Sequence, residues 1–216
     1  MLDLTCIYYT SNKEIPRLEG NIRKTILENI GDAQLISVSQ KPIDFGINIC
    51  VGEKVPSSHN AFRQLQIGAM KATTKYVCTA EADTLYPKEY FGFLPDNDRM
   101  IYKADNIYVI YALRGRKKIC GMKREDEGAI IAGREYIIEV IDKQLEGNGL
   151  WSCKGDYDGS IIPYLFSVGK SVFFHNTVPI VKFKTDQNLH RKCPTLNRTN
   201  EIAVYGNPIE LMRQYL

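Results

Sequence analysis

A chain of 216 residues with 44% hydrophobic and 25% charged side chains has the length for one well-buried core and the composition of an ordinary globular protein, which excludes fibrous and disordered classes. Its formal charge of +3 is too small to require a polyanionic partner, and no apolar run nears the length needed to cross a bilayer. The start, Met1 to Tyr9, lacks the basic and small-residue features of a secretory signal, and the six cysteines show no close pairing. The expectation is a cytoplasmic, single-domain chain with buried free thiols and no zinc site.

In chain order, residues Leu2 to Thr10 are rich in β-branched and aromatic types and stop at Ser11-Asn12, which predicts a first strand. Leu18, Ile22, Ile26 and Ile30 recur every four residues and are followed by Gly31, a helical stripe with its usual terminator. A second strand is expected over Gln34 to Ser39 and a further one over Ile47 to Val51, so the chain opens as a parallel α/β unit. Pro56-Ser-Ser58 signals a helix start, with Ala61, Phe62, Leu65, Ala69, Met70 and Ala72 as its apolar face. Asn60 and Arg63, three apart, are assigned to one side of its polar face.

This helix delivers the chain into a β-rich run, Lys75 to Pro87, whose far end carries Glu81 and Asp83. In β geometry two carboxylates two apart face the same way, and they repel unless a cation sits between them. A hard divalent ion, held jointly with substrate phosphates, is one solution. The plain alternative is a polar strand end entering the turn at Tyr86-Pro87. In an open α/β sheet ligands bind beyond the carboxyl ends of the strands, where Tyr8, Thr10, Ser39 and the acidic pair would gather.

Beyond Pro87, Met100 to Tyr102 and Ile107 to Leu113 are read as strands of a hairpin with Asn106 in its turn. The densest basic cluster follows, Arg114 to Lys118 with Lys123-Arg124; it is either a solvated loop or a phosphate-contacting surface. Gly128 to Gly133 leads into a helix through Ile137, Ile138, Ile141 and Leu145, and its glycines allow a close backbone approach. Gly155-Asp-Tyr-Asp-Gly159 precedes a helix through Ile161, Ile162, Leu165, Phe166 and Val168, where Asp156 reads as a cap. Val172 to Phe174 and Val178 to Phe183 are closing strands. His175 between them is taken as a hydrogen-bonded core residue, and the stretch from Thr185 onward is a polar loop and a weakly patterned tail.

Four of these features occur in the order seen in small GT-A-fold glycosyltransferases, and the chain resembles family 2 of that class. They are the helix with Asn60, Arg63 and Gly68, the strand ending Ala80-Glu-Ala-Asp83, the Gly128 to Gly133 segment, and the acidic Gly155 to Gly159 motif. The resemblance implies an α/β, mostly parallel central sheet flanked by helices. Residues 1–95 would form a nucleotide-sugar-binding half and 96–216 an acceptor-binding half with a closing loop. It implies a metal-dependent, inverting, non-processive transfer of a sugar from a nucleotide-sugar, a UDP-sugar foremost, to an acceptor hydroxyl.

In that scheme Asp83, Glu81 and His190 would hold Mn²⁺ or Mg²⁺ on the donor diphosphate, and Arg191 and Lys192 would neutralise phosphate charge. Tyr8, Thr10, Asn60 and Arg63 would contact the donor, and Asp158 would take the proton from the acceptor hydroxyl. Ser37 to Pro42 lacks the acidic residue with which the family often reads the base, and the Gln-x-x-Arg-Trp signature of processive synthases is absent. A hydroxylated base in DNA is one acceptor the resemblance allows. Two other readings stand beside it: a nucleotidyltransferase, and a nucleic-acid-binding module using residues 114–124 with Tyr108 and Tyr111 as stacking surfaces.

Overall fold

The computed structural model describes residues 3–111, 119–155, 164–187 and 198–216. In chain order the first elements are β1 (Leu4–Thr10), α1 (Pro16–Asn29), β2 (Gln34–Ser39), β3 (Ile47–Cys50), α2 (Ser58–Lys71), β4 (Tyr76–Glu81), β5 (Thr84–Leu85) and α3 (Lys88–Gly92). There follow β6 (Ile101–Ala104), β7 (Ile107–Tyr111), β8 (Ile119–Lys123), a 3-10 turn at Glu127–Ala129, β9 (Ile130–Gly133), α4 (Arg134–Gln144), α5 (Leu165–Val168), β10 (Ser171–Phe174), β11 (Ile180–Lys184) and α6 (Pro208–Tyr215). No helix among the described residues is long and apolar enough to cross a membrane.

Seven strands form one sheet in the order β10-β6-β9-β4-β1-β2-β3, and β5-β11-β7-β8 form a second of four. In the larger sheet β1 pairs in parallel with both β2 and β4, β2 with β3, and β6 with β10, while only β9 runs antiparallel to its neighbours β4 and β6. This is the mixed, mostly parallel α/β architecture expected from the sequence. The larger sheet draws β1 to β4 from the first 95 residues and β6, β9 and β10 from the rest.

Both faces of the large sheet are covered, so β1 is buried along its whole length. Period-2 alternation sends Leu4, Cys6 and Tyr8 to one core, shared with Leu18, Ile22 and Ile26 of α1, Tyr86, Tyr90 and Phe183. Ile7 and Tyr9 go to the other, with Phe62 and Leu65 of α2, Ile137 and Ile141 of α4, and Leu165. Burying each such Leu, Ile or Phe contributes about 1.5–3 kcal/mol. Helix α2 lies unusually close to β1 because of Gly68, where an added Cβ would stand 2.4 Å from Ile7 Cγ2. A side chain there would push the helix off the sheet. Helix α2 begins where Ser57 Oγ accepts from the Asn60 amide at 3.2 Å, as the Pro56-Ser-Ser58 signal predicted.

Four expectations are corrected. The proposed 100–113 hairpin does not form: β6 enters the large sheet between β9 and β10, and β7 enters the small one between β8 and β11. All four residues of β6 are buried, which demands neighbours on both edges and both faces rather than a solvated hairpin. The tail carries α6, started by Asn207, whose Oδ1 accepts from the amides of Ile209 and Glu210. Met70, assigned to the apolar face of α2, is 64% exposed. His175 lies at the surface, its Nδ1 2.8 Å from Asp105 Oδ1, and not in the core. Of the described cysteines, all free, Cys6, Cys78 and Cys120 are buried and Cys50 and Cys153 are exposed.

Candidate functional site

The neighbours of β1 in the large sheet are β2 on one side and β4 on the other, so the chain direction of the crossovers switches there. In parallel sheets the two loops that follow such strands diverge and leave a crevice at their carboxyl ends. A cleft of about 690 Å³ opens at this place, within the range of sites for small ligands. Its lining includes Tyr9 and Thr10 at the end of β1, Lys13 and Glu14 after it, Gln40 after β2, Asn60 and Gln64 on α2, Glu81 at the end of β4 and Asp83 after it, and Lys182 and Lys184 on β11.

The walls are fixed by polar contacts that the sequence made possible but did not announce. Gln64 Nε2 donates to the carbonyls of Thr10 at 3.0 Å and Val38 at 2.9 Å, tying the ends of β1 and β2 to α2. Asn60 lines the cleft, and its amide clamps neighbouring chain: Nδ2 donates to the Val55 and Ser152 carbonyls at 2.7 and 3.0 Å, and Oδ1 accepts from the Ser152 amide at 2.8 Å. Glu14 Oε1 accepts from Thr185 Oγ1 at 2.8 Å, joining the β1–α1 loop to the end of β11.

Glu81 and Asp83 do line one cleft, and positive charge sits beside them, supplied by the chain itself. Lys182 Nζ donates to Glu81 Oε2 and, at 2.9 Å, to Asp126 Oδ1. Lys123 donates to the other oxygen of Asp126. Lys184 Nζ donates to Asp83 Oδ2 at 3.0 Å. The remaining oxygens also accept: Glu81 Oε1 from the Tyr9 hydroxyl at 2.9 Å, and Asp83 Oδ1 from Thr84 Oγ1 at 2.9 Å. Gly128 makes room for this cluster, since a Cβ there would stand 2.2 Å from Glu81 Oε2. The close approach expected of the Gly128 to Gly133 segment is thus made against a carboxylate.

The electrostatics follow from burial and pairing. Burial alone would raise the Asp83 carboxyl, but Lys184 and then Lys182 outweigh it and hold it below the usual carboxylate range. The same balance, with Lys123 and Lys182 as the opposing charges, drives Asp126 far down. For Lys182 burial works against the charged form, yet Asp126, Glu81 and Asp83 together keep its ammonium well above the ordinary value. For Glu127 the balance tips the other way: burial first, then the charges of Asp126 and Glu81, push it up to about 8, against the opposing hydrogen bond from the Leu165 amide.

Glu81 and Asp83, the described members of the expected metal-holding set, are already engaged within the chain. All four oxygens of Glu81 and Asp83 already accept hydrogen bonds, and two of those donors are ammoniums. A divalent ion would have to displace them or sit beside them, and like charges about 4 Å apart cost roughly 4 kcal/mol per unit pair at an effective dielectric of 20. Among the described residues no three His, Cys, Asp or Glu side chains come together in a metal-holding group.

The remaining sequence-derived residues divide. Thr10 is in the cleft wall, buried, with its Oγ1 accepting from the Asn12 amide. Tyr8 is not: its ring is fully buried on the α1 side, T-shaped against Phe45, and its hydroxyl donates to Glu19 at 2.7 Å. Tyr9, one residue on and so on the opposite face, takes the cleft position. Arg63 turns away from the cleft to Gln66 at 2.6 Å and toward Asp142 of α4 at 3.9 Å. Ser39 is buried and its Oγ accepts from Asn48 Nδ2 at 2.9 Å. Tyr111, proposed as a stacking surface, is buried, and Tyr108 is half-buried against the core. Asp158, His190, Arg191, Lys192 and the Arg114 to Lys118 cluster lie outside the described residues.

Lys182, Lys184, Asp126 and Glu127 are not picked out from the sequence. The signal for the first two is present: in Ile180-Val-Lys-Phe-Lys184 two lysines alternate with large apolar residues, which in a strand places both on one face.

No family model and no curated protein matches the chain. Solved structures do. One is a glycosyltransferase involved in the glycosylation of the major capsid of PBCV-1, with a TM-score of 0.47 and 11% identity over 83% of this chain and 92% of that one. A mannose-1-phosphate geranyltransferase from Thermus thermophilus gives 0.45 and 7% over 83% and 76%. The bifunctional IspDF from Campylobacter jejuni gives 0.41 and 14% over 80% of this chain and 49%, about half, of that one.

Proposed function

We propose that the chain is a glycosyltransferase that takes a nucleotide-sugar in the cleft beyond β1 and β4 and passes the sugar to an acceptor hydroxyl. One observation carries the reading: a cleft at the switch point of a mostly parallel sheet, with ammoniums Lys13, Lys182 and Lys184 and hydroxyls Tyr9 and Thr10 in its lining. In this reading residues 1–95 supply the nucleotide side together with Lys182 and Lys184 of β11, and the rest of 96–216 supplies the acceptor side. The ordered sequence motifs that resemble GT-A enzymes support the same assignment.

The chemistry is a single displacement. The acceptor oxygen attacks the anomeric carbon, the bond from that carbon to the phosphate oxygen breaks, and the electron pair leaves on the nucleoside diphosphate. The acceptor proton passes to a carboxylate, for which Asp158 is the proposed base. What the cleft contributes is ammonium donors held in place beforehand near the departing diphosphate, where they stabilise the charge that develops on leaving. Binding of the two substrates side by side removes the entropic cost of their encounter.

Incubating the protein with UDP-sugars and GDP-sugars and a panel of hydroxylated acceptors tests the assignment through the product. Release of nucleoside diphosphate with the sugar on the acceptor is expected. Release of pyrophosphate from a nucleoside triphosphate and a sugar phosphate would replace the reading with nucleotidyl transfer.

A further inference from the structure

The acidic tip of β4 reads in the sequence as a metal-ligand set, and the side chains around it compose something else. Glu81 and Asp126 together grip one ammonium, Lys182, whose side chain lines the cleft but is only 8% exposed. Asp83 grips a second, Lys184, which is more open, with its side chain 18% exposed to the cleft. An ammonium carries three N–H donors, and Lys184 gives one to Asp83. Lys13, exposed in the β1–α1 loop that Glu14 joins to Thr185 at the end of β11, lines the same space.

Charge balance points the same way. Among the described residues, Glu81, Asp83 and Asp126 are matched one for one by Lys123, Lys182 and Lys184. A divalent cation could reach Glu81 and Asp83 only by displacing the ammoniums of Lys182 and Lys184 from them, whereas a phosphate oxygen can take a further N–H of Lys184 with its bond to Asp83 kept. The two lysines of β11 are held in register by the strand itself: β11 pairs with β5 on one edge and β7 on the other. Their ammoniums therefore need little reorganisation when an anion arrives.

The geometry points to a diphosphate subsite that works without a divalent metal, in which Lys184 and Lys13 bind the phosphate oxygens and Asp83 serves to aim Lys184. This rests on the glycosyltransferase reading and names how its donor is held. Asp83 is then a positioning residue and Lys184 a binding residue. Glu81, Asp126 and Lys182 form the charge-balanced support behind them.

Isothermal titration of the intact chain with UDP and with inorganic pyrophosphate, once in EDTA and once in Mn²⁺, separates the possibilities. Binding in EDTA, changed less than threefold by Mn²⁺, is expected. Lys184→Met should weaken it at least tenfold in both buffers, and so should Lys13→Met, an exposed position where folding is not at stake. Asp83→Asn should weaken it less than Lys184→Met does. Binding that needs Mn²⁺, or that strengthens in Mn²⁺ when Lys184 is removed, would overturn the inference and leave the glycosyltransferase reading standing. Absence of binding by either probe in either buffer would take both down.

Discussion

Replacing Lys182 by methionine keeps the length of the side chain and removes the charge shared by Glu81 and Asp126. Breaking a buried ion pair from one side costs about 3–5 kcal/mol, because the carboxylate left behind has been desolvated without recompense. Asp126 keeps Lys123 and Glu81 keeps the Tyr9 hydroxyl, which places the expected loss near the lower limit, about 3 kcal/mol. For a domain of this size that corresponds to a fall in Tm of roughly 6–12 °C. Urea unfolding followed by tryptophan fluorescence and far-ultraviolet circular dichroism measures the loss directly. The double variant Glu81→Gln/Lys182→Met should recover part of it, since the carboxylate that lost its ammonium is then gone as well. A single-variant loss below about 1 kcal/mol, or effects in the double variant additive to within ~0.5 kcal/mol, would refute the buried, coupled arrangement.

Glu127, with a folded-state pKa of about 8 against an ordinary 4.5, is protonated in the native state where the unfolded chain has released its proton. Its contribution is therefore complete below pH 4.5 and is lost as pH rises toward 8, a decline on the order of a few kcal/mol. Glu127→Gln should flatten the fall in stability between pH 5 and 8, and an unchanged slope would contradict the burial assigned to that carboxyl. Asp83 and Asp126 act in the opposite sense: their pKa values are depressed, so the stability they carry is present above about pH 4 and is lost as pH falls through their folded-state pKa values. Tyr8→Phe should cost about 1–3 kcal/mol by leaving Glu19 without its buried donor, with no change in nucleotide affinity by titration. Loss of affinity with stability intact would return Tyr8 to the cleft.

What the sequence could and could not disclose follows from the kind of signal each element leaves. Periodicity marks α1 and α2, because an amphipathic helix repeats its apolar residues over several turns, and β1 is marked by a continuous run of β-branched, aromatic and other strand-favouring residues closed by Ser11-Asn12. That same continuity hides the facing of β1. With every position buried, Tyr8 and Tyr9 cannot be told apart by hydrophobicity, and the sequence reading places the wrong one in the cleft. The 100–113 hairpin fails for a related reason. Two short strands with a turn-like link look alike whether they pair with each other or part into two sheets, and the pairing is decided by β9, β10 and β11 far along the chain.

The acidic pair at Glu81 and Asp83 is legible as a strand-end site, since the two residues are close in sequence. Its counter-charges are not, because Lys182 and Lys184 arrive from β11, 101 residues further on. Asp126 and Glu127 are hidden among the basic residues that precede them, although Asp126 caps the 3-10 turn through the Gly128 amide at 2.8 Å. The α6 start at Asn207-Pro208 is readable as a cap followed by proline at the first turn, and goes unread only because the apolar stripe behind it is short.

The most direct test of the cleft as a nucleotide-sugar site is a difference electron-density map from crystals soaked with UDP in the presence of EDTA. Density for the nucleotide is predicted beyond the ends of β1 and β4, with its phosphates within hydrogen-bond distance of Lys184 Nζ. UDP bound elsewhere on the molecule with this cleft empty, or phosphates turned away from both Lys184 and Lys13, would contradict the account.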